Sequence, residues 1–333
     1  MNILITGGAG YIGSHTALTL IKAGHKVTIL DHLQKHKEDI LETLRSEAGD
    51  FELLKLELQN QQELQHALEN RTFDAVIHFA ASIEVGISTE KPVAFVNNNV
   101  VGSQFLFDAL IANGNKNFIF SSSAAVYGTP ESVPIKETDK ISLENPYAMT
   151  KYVTEEILRS YANFADVNVV ALRYFNPAGS YNGLIGERHN PETHLIPRLL
   201  HGLTTDDFVM KVFGNDYDTP DGTAVRDYIH IVDLAEAHAT CIDYVMANKG
   251  FEVFNIGTGK GTSILEVIQS AEAITGKKIN YEVAPRRIGD SASLIADPSK
   301  IEKMIGWKAK YDLEDIISSA WEWEQKRPKT DYA

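Results

Sequence analysis

Cysteine is nearly absent from this sequence: Cys241 is the only one among 333 residues. One thiol cannot form a disulfide within the chain, which excludes a small disulfide-stabilised secreted scaffold and fits a reducing compartment. Because Cys241 lies in an apolar-periodic stretch, we expect it in the protein core. No leader-like pattern opens the sequence, so we expect a soluble cytoplasmic protein.

Positive charge and long apolar runs are also scarce. Lysine and arginine number 31 against 45 aspartates and glutamates, which gives a net charge of −14. Such a chain is a poor partner for nucleic acid or an anionic membrane. No apolar run approaches the roughly 20 residues that span a bilayer. Any phosphate-bearing ligand must therefore be held by local groups, such as helix N-termini and a few arginines.

The first 31 residues carry the pattern of a nucleotide-binding βαβ unit. A predicted strand, Asn2–Thr6, leads into Gly7, Gly10 and Gly13, then into a helix and a second strand that ends at Asp31. The first glycine permits the tight turn, the second lets the backbone approach a pyrophosphate, and the third lets the helix pack closely on the sheet. An acid at the end of the second strand accepts hydrogen bonds from ribose hydroxyls. This context predicts a dinucleotide site.

Strand and helix patterns alternate along the first half of the chain, which predicts a doubly wound parallel sheet of the Rossmann α/β type. From Asn176 the regular elements become short. We therefore place a cofactor-binding domain at residues 1–175, with some later segments returning to it, and a smaller α/β substrate-binding domain at residues 176–333. The later predicted strands are 51–56, 75–79, 118–120, 169–174, 209–213, 228–230 and 253–256, and the predicted helices include 61–68, 92–113, 195–203, 231–246, 263–275 and 313–325.

Tyr147 and Lys151 are four residues apart on a helix that begins at Asn145–Pro146. Residues i and i+4 share a helix face, and Ser123 follows a strand of the same predicted sheet. Free tyrosine has a pKa of about 10, and a nearby cation lowers a pKa by about 1–3 units. We therefore predict that Tyr147 is a catalytic base near pH 7, assisted by Lys151 together with the positive nicotinamide ring of the cofactor, with Ser123 sharing the transferred proton.

Together with Thr6–Gly13, Asp31 and Ser121–Gly128, this pair resembles the extended short-chain dehydrogenase/reductase family. Further segments resemble the UDP-hexose 4-epimerases of that family, namely Arg173–Pro177, Phe213–Tyr217, Asp221–Thr223, Arg226–His230 and Pro285–Asp290. The resemblance runs from Met1 to about Trp323. It implies an isomerase of galactose metabolism that interconverts UDP-galactose and UDP-glucose by transient oxidation at C4 with bound NAD. It also implies a homodimer built from the helix at 92–113 and the Tyr147 helix.

The resemblance assigns ligand contacts by matching position. It implies NAD contacts at Gly7, Gly10, Tyr11, Ile12, Gly13, Asp31, Glu57, Leu58, Phe79, Ala80, Ala81, Asn98, Ser121, Tyr147, Lys151 and Phe175. It implies UDP-hexose contacts at Ser123, Tyr147, Asn176, His194, Leu195, Val212, Phe213, Arg226, Arg287, Asp290 and Leu294. Arg226 and Arg287 suit a diphosphate, because the guanidinium fork matches phosphate oxygens.

Some positions depart from the family pattern. Ile83 stands where many epimerases carry a lysine near the cofactor, and Ala125 replaces a frequent threonine. Leu294 replaces a bulky tyrosine of some members. Its smaller side chain leaves room for an N-acetyl group, so a UDP-N-acetylglucosamine 4-epimerase or a dual-specificity enzyme is the alternative. Lys35 and His36 suggest NADP, but Asp31 would repel its additional phosphate, so NAD is the expected cofactor.

Two other functions and a metal site are less favoured. Dehydratases of the family carry an Asp-Glu pair directly after the residue matching Ser123, where this chain has Ala124 and Ala125. A nucleotide-sugar decarboxylase of the same family is a further alternative function. A non-catalytic sensor would not need the tyrosine–lysine pair, and both residues are present. No His-Glu-x-x-His motif or Cys/His cluster occurs, so we assign no metal. His189, His194 and His201 are expected in loops or at the surface, with His194 near the substrate.

Overall fold

The computed structural model describes residues 1–33, 38–189, 192–205, 208–287 and 289–327. The interpretation of Lys35 and His36 therefore lies outside the described residues. The strands are β1 (Asn2–Thr6), β2 (Lys26–Asp31), β3 (Glu52–Lys55), β4 (Ala75–His78), β5 (Asn117–Ser121), β6 (Asn168–Tyr174), β7 (Asn176–Ala178), β8 (Ser180–Tyr181), β9 (Ile185–Gly186), β10 (Met210–Phe213), β11 (Val225–Arg226), β12 (Tyr228–His230), β13 (Gly250–Ile256), β14 (Thr262–Ser263), β15 (Tyr281–Ala284) and β16 (Ser293–Leu294).

Helices cover both faces of the main sheet and fill the second half of the chain. They are α1 (Tyr11–Lys22), α2 (Glu38–Ala48), α3 (Gln61–Leu68), α4 (Val85–Glu90), α5 (Pro92–Val96), α6 (Ser103–Ala112), α7 (Pro146–Phe164), α8 (Leu195–Gly202), α9 (Ile231–Ala247), α10 (Ile264–Thr275), α11 (Ser299–Ile305) and α12 (Leu313–Lys326). Within the described part of the chain, none of these helices is long and apolar enough to cross a membrane.

Among the residues that the structure describes, seven parallel strands form the central sheet in the order β3-β2-β1-β4-β5-β6-β13. Successive side chains of a strand point to opposite faces, so Ile3 and Ile5 pack in one buried apolar cluster and Leu4 packs in another. The first cluster is completed by α1, α2 and α9, and the second by α3, α6 and α7. Helices on both faces of a parallel sheet confirm the predicted Rossmann-type fold.

The strand β13 joins this sheet from far along the chain. Gly250–Ile256 pairs residue by residue with β6, after the polypeptide has left the sheet and returned. Several other segments after β6, among them α8, β10, α10 and α12, pack around a separate apolar cluster, which includes Leu199, Val212, Val267 and Ile317. The second half of the chain therefore contributes both a sheet edge and a smaller packed unit.

The helix predicted at 92–113 contains an irregular middle turn. Asn97–Gly102 forms a π-helical turn between α5 and α6. A Cβ atom added at Gly102 would lie 2.9 Å from the Cβ of Leu58, so the helix approaches Leu58 as closely as a glycine allows. π-helical turns often occur at functional sites, and this one brings two predicted cofactor contacts, Leu58 and Asn98, to the same place.

Candidate active site

The glycine turn after β1 has room only for glycine at two positions. Gly7 has a φ of +68°, and a Cβ there would lie 2.7 Å from the backbone nitrogen of Ala80. A Cβ at Gly13 would lie 2.2 Å from the carbonyl oxygen of Gly7. Gly10 is the N-cap of α1 and offers no side-chain acceptor to the first helical N–H groups. The turn therefore presents a helix N-terminus that suits a pyrophosphate.

Asp31 is buried at the end of β2, directly beside this turn. Its carboxylate accepts hydrogen bonds from the N–H groups of Ala9 at 3.1 Å and Leu33 at 2.9 Å. These bonds fix the acid within reach of a ribose that extends from a nucleotide on the glycine turn. The arrangement fits NAD, whereas the additional phosphate of NADP would meet this negative charge.

The other predicted cofactor contacts lie at or beside the carboxyl ends of the strands. Phe79, Ala80 and Ala81 follow β4, Ser121 ends β5, and Phe175 follows β6. Open parallel sheets bind ligands at this edge.

Four further predicted contacts flank it. Tyr11 lies at the start of α1, next to Ile12, and its hydroxyl donates a 2.7 Å hydrogen bond to the carbonyl of Gly179. Glu57 is exposed beside the buried Leu58. The structure thus gathers the predicted set around one edge of the sheet.

Tyr147 and Ser123 lie in contact beside this edge. The phenol of Tyr147 is buried and hydrogen-bonds the Ser123 side chain. Burial raises the pKa of Tyr147 to about 12; the Ser123 bond opposes this shift, and the charge of Glu84 adds to it. In the protein without its cofactor, burial of the phenolate is therefore the largest influence on this pKa. The predicted assistance by Lys151 and the nicotinamide ring together stays a prediction.

Lys151 is buried one helical turn from Tyr147. Its ammonium donates a 2.7 Å hydrogen bond to the carbonyl of Ser121 and lies 5.8 Å from the centre of the Tyr147 ring. Burial lowers the pKa of Lys151 to about 7, although the charge of Glu155 raises it. The cation is therefore held against β5 and is only partly charged near neutral pH.

A buried ion pair supports the end of β5. Glu155 lies a further turn along α7, and its Oε2 is 2.6 Å from Nη2 of Arg173 on β6. The hydroxyl of Ser122 donates a hydrogen bond to the same carboxylate. Ser122 stands between Ser121 and Ser123, so this pair fixes the backbone that presents both. The sequence analysis did not identify this ion pair. The available signal was Glu155, an acid eight residues after Tyr147 on the buried face of α7.

Beyond β6 the chain encloses a cavity of about 260 Å³. Most of the predicted UDP-hexose contacts line it, namely Asn176, His194, Leu195, Val212, Phe213, Arg226, Arg287 and Asp290. Ser123 and Tyr147 lie instead at the sheet edge described above. Leu294 packs against a small apolar cluster that contains Phe175, and Phe175 also lines the cavity.

Two arginines in the cavity wall are held by their neighbours. Arg226 donates to the carbonyl groups of Val225 at 2.9 Å and Ser291 at 3.0 Å. The guanidinium of Arg287 stacks 3.8 Å from the centre of the Phe213 ring. Both cations are thereby positioned before any ligand arrives, which reduces the entropy lost on binding a diphosphate.

Arg198 is a third cation of this wall, and sequence reasoning missed it. It lies on α8, lines the cavity and is half-buried. Burial lowers the pKa of Arg287, and the charge of Arg198 lowers it further, so the two guanidinium groups share one region. The available signal was the i, i+3 spacing of Leu195 and Arg198, which places both on one face of α8.

Two carboxylates and two imidazoles meet at one side of the cavity. Glu187, His189, Glu192 and His194 bring a donor atom each within 4.8 Å of all the others. We call them the acid–histidine cluster. His189 and His194 lie outside helices and strands, where the sequence placed them, whereas His201 lies within α8.

The chain matches known proteins over nearly its whole length. A family model described as GDP-mannose 4,6 dehydratase matches residues 4–320. A UDP-glucose 4-epimerase of Rhizobium meliloti (strain 1021) is 42% identical over 327 residues, which cover 98% of both chains. The chain belongs to the UDP-glucose 4-epimerase family. The family resemblance drawn from the motifs is therefore confirmed.

Solved structures of UDP-glucose 4-epimerases share the fold. That from Stenotrophomonas maltophila, described with bound NAD and formylated UDP-arabinopyranose, has a TM-score of 0.94 at 37% identity and covers 98% of each chain. That from Bifidobacterium longum, in complex with NAD+ and UDP, has a TM-score of 0.93 at 38% identity, over 98% of this chain and 99% of that one.

Proposed function

We propose that this UDP-glucose 4-epimerase family member binds NAD and interconverts UDP-galactose and UDP-glucose by transient oxidation of the sugar at C4. The observation that carries the proposal is the meeting of two sites at β6. Tyr174 at its end hydrogen-bonds Ser121, beside the Tyr147–Ser123 pair, and the next residues, Phe175 and Asn176, line the arginine-walled cavity. A UDP group in that cavity can therefore extend its sugar toward Tyr147.

The residues of the glycine turn fit NAD. Gly7 and Gly13 keep the turn clear of side chains, and Asp31 is fixed where a ribose would lie. When bound, NAD supplies a reversible hydride acceptor for C4 and a positive charge that favours the Tyr147 phenolate. Lys151 and Ser121 hold the cofactor edge of the site, because their hydrogen bond joins α7 to the end of β5.

Tyr147 carries the proton in both directions. It takes the proton of the sugar 4-hydroxyl as C4 is oxidised, and returns it after the 4-keto sugar has presented its other face. Ser123 stabilises the phenol and the phenolate by the same hydrogen bond. The net reaction inverts C4 and consumes no oxidant or reductant.

Three arginines hold the diphosphate. Arg198, Arg226 and Arg287 converge on the cavity wall, with Asp290 at 3.7 Å from Arg226. The chain carries a net charge of −14, so attraction at long range does not favour a UDP-sugar. Charge-assisted hydrogen bonds inside the cavity must supply the affinity.

Other reactions fit the site less well. A dehydratase family model matches this chain, but the chain lacks the Asp-Glu pair of the dehydratases. Ala124 and Ala125 form the turn directly after Ser123 instead. The N-acetylated substrate suggested by Leu294 is not favoured, since the relatives at about 42% identity are UDP-glucose 4-epimerases.

The direct test supplies UDP-galactose to purified protein with no added cofactor and measures UDP-glucose. We expect conversion by the wild type and none by the Tyr147→Phe variant. UDP-N-acetylgalactosamine, assayed in parallel, is expected to react more slowly. If UDP-galactose stays unchanged even with added NAD, the proposed reaction is wrong.

We also propose a cytoplasmic homodimer. Val93 on α5 is 71% exposed and Phe164 at the end of α7 is 87% exposed, and both helices belong to the layer expected to meet a second copy. The buried single thiol of Cys241 suits a reducing compartment. Light scattering coupled to gel filtration tests the dimer, and Val93→Glu should yield monomers.

A further inference from the structure

The acid–histidine cluster has a geometry to which the proposed chemical step assigns no role, although His194 also lines the substrate cavity. His189 Nδ1 lies 3.3 Å from Glu187 Oε1 and 3.6 Å from Glu192 Oε2. His194 Nδ1 lies 4.0 Å from Glu192 Oε1 and directly contacts Glu187 Oε1. Four ligands at about 2.0–2.1 Å from a tetrahedral zinc ion are separated from one another by roughly 3.3–3.4 Å. The four donor atoms all lie within 4.8 Å of one another, which is within roughly 1.5 Å of that spacing.

Unpartnered buried atoms point to a missing ligand. Glu192 Oε2 is buried without a hydrogen-bond partner, and its side chain is only 5% exposed. The other oxygen of Glu192 accepts hydrogen bonds from the backbone N–H groups of Thr193 and His194, both at 2.9 Å. The backbone therefore fixes the position of this carboxylate. His189 Nδ1 is also buried and forms no hydrogen bond, although it lies 3.6 Å from this same oxygen. Buried polar atoms in native proteins are normally hydrogen-bonded, and these two lie close to each other without forming such a bond.

We propose that the acid–histidine cluster binds one divalent transition-metal ion, for which zinc is the best fit. Two imidazole nitrogens and two carboxylate oxygens form a four-ligand set of the kind zinc accepts. Magnesium and calcium prefer six or more oxygen ligands and are poorly served by it. With neutral imidazoles the two carboxylates carry two negative charges, which one divalent ion balances.

Protons are the competing cations. His189 and His194 each place Nδ1 beside a carboxylate oxygen of Glu187. Protons shared across these contacts occupy the positions that a metal ion would take. An ion that enters must displace them, because a coordinating imidazole nitrogen cannot also carry a proton. Metal binding at this cluster thus releases protons. Metal binding to an exposed carboxylate, which carries no proton at neutral pH, releases none.

The position of the cluster gives the ion a structural consequence. Glu187 directly follows β9, and its carbonyl accepts a 3.1 Å hydrogen bond from the indole of Trp323 on α12. His194 is the N-cap of α8, the helix that carries Leu195 and Arg198 into the cavity wall. A bound ion therefore ties the start of α8 to β9 and α12. Its occupancy does not depend on the proposed reaction.

The test measures metal content in untagged full-length protein. The protein is stripped with chelator, equilibrated with equimolar zinc sulfate, gel-filtered and analysed by mass spectrometry of the elements. The variants are His189→Gln and Glu192→Gln, and the control is His66→Gln, which removes an exposed histidine on α3. We expect about one zinc per chain in the wild type and control, and at least a tenfold loss in both cluster variants.

Two measurements on the wild type decide the matter even if the variants fold poorly. Cobalt substitution should give the visible absorption of a tetrahedral site. Zinc titration in weakly buffered solution should release protons, and zinc should raise the thermal midpoint of the stripped protein. Zinc retention below about one-tenth per chain overturns the proposal. So does equal retention by the cluster variants and the control, because the ion would then lie elsewhere.

Discussion

The ammonium of Lys151 donates a 2.7 Å hydrogen bond to the backbone carbonyl of Ser121, at the end of β5. Burial lowers the pKa of Lys151 to about 7, and Glu155 opposes that shift. Glu155 in turn pairs with Arg173 and accepts a hydrogen bond from Ser122. The cation of the site and the backbone that orients it are therefore supported by one buried network.

Replacing Tyr147 by phenylalanine removes the proposed base and leaves the aromatic packing. We expect kcat to fall by about 10²–10⁴-fold, since this is the usual contribution of a positioned acid or base. The NAD content of the purified protein should be unchanged, as measured by its release on denaturation. An active variant would assign the proton transfer to another group.

Replacing Glu155 by glutamine breaks the buried pair with Arg173. An unpaired buried charge costs about 3–5 kcal/mol of unfolding free energy, and urea unfolding monitored by circular dichroism measures the loss. Glu156→Gln is the matched control, because Glu156 is the next residue of α7 and its 3.2 Å pair with Arg159 is exposed. That change should cost less than about 1 kcal/mol. Equal losses would mean that the buried network adds no stability.

Replacing Arg198 by alanine should weaken UDP-sugar binding and leave the chemical step intact. Hydrogen bonds to charged groups contribute about 1.5–3 kcal/mol, so we expect KM to rise roughly 10- to 100-fold with little change in kcat. Steady-state kinetics with UDP-galactose checks this. Arg45→Ala on α2, an exposed arginine remote from the cavity, is the control and should leave KM unchanged.

Replacing His238 by glutamine should reduce acid sensitivity. Burial lowers the pKa of His238 from 6.5 to about 4. The unfolded chain therefore binds this proton at a higher pH than the folded protein. His238 thus favours folding fully above pH 6.5, and the contribution is lost as the pH falls toward 4. The wild type should lose about 3 kcal/mol more than the variant over that window.

Urea unfolding at pH 6.5 and pH 4.5 measures about 2 kcal/mol of this difference, because the folded-state pKa of about 4 lies below the lower pH. His238 packs with its ring centre 4.6 Å from that of Phe79, so the variant will be less stable at both pH values. The prediction concerns the change in the free energy of unfolding between the two pH values. Parallel loss in both proteins would show that His238 does not titrate in this range.

The sequence predicted the sheet and its cofactor edge because these depend on local patterns. The alternation of Ile3, Leu4 and Ile5 fits a strand buried on both faces, and the glycine spacing fits a turn that leaves no room for a Cβ atom. The position of Tyr147 beside Ser123 followed from helix periodicity and from the common edge of parallel strands. These inferences need no knowledge of distant contacts.

The features that the sequence did not reveal depend on contacts between distant segments. Arg173 and Glu155 meet only after β6 enters the sheet beside β5, and the acidity of Tyr147 depends on how deeply the finished fold buries it. The acid–histidine cluster matches no spacing motif, because loop backbone rather than a helix face brings Glu187 and His194 together. Burial and loop geometry cannot be inferred from residue spacing alone.

The pairing of β13 with β6 forms only late in the synthesis of the chain. Ribosomes add about 5–20 residues per second, so Asn168–Tyr174 emerges several seconds before its partner strand, Gly250–Ile256. During that interval each nascent chain exposes an unpaired parallel strand that can pair with a neighbouring chain. Translation products that stop before Gly250 keep this edge permanently, and they are the fragments of this protein that should aggregate and require clearance by chaperones and proteases.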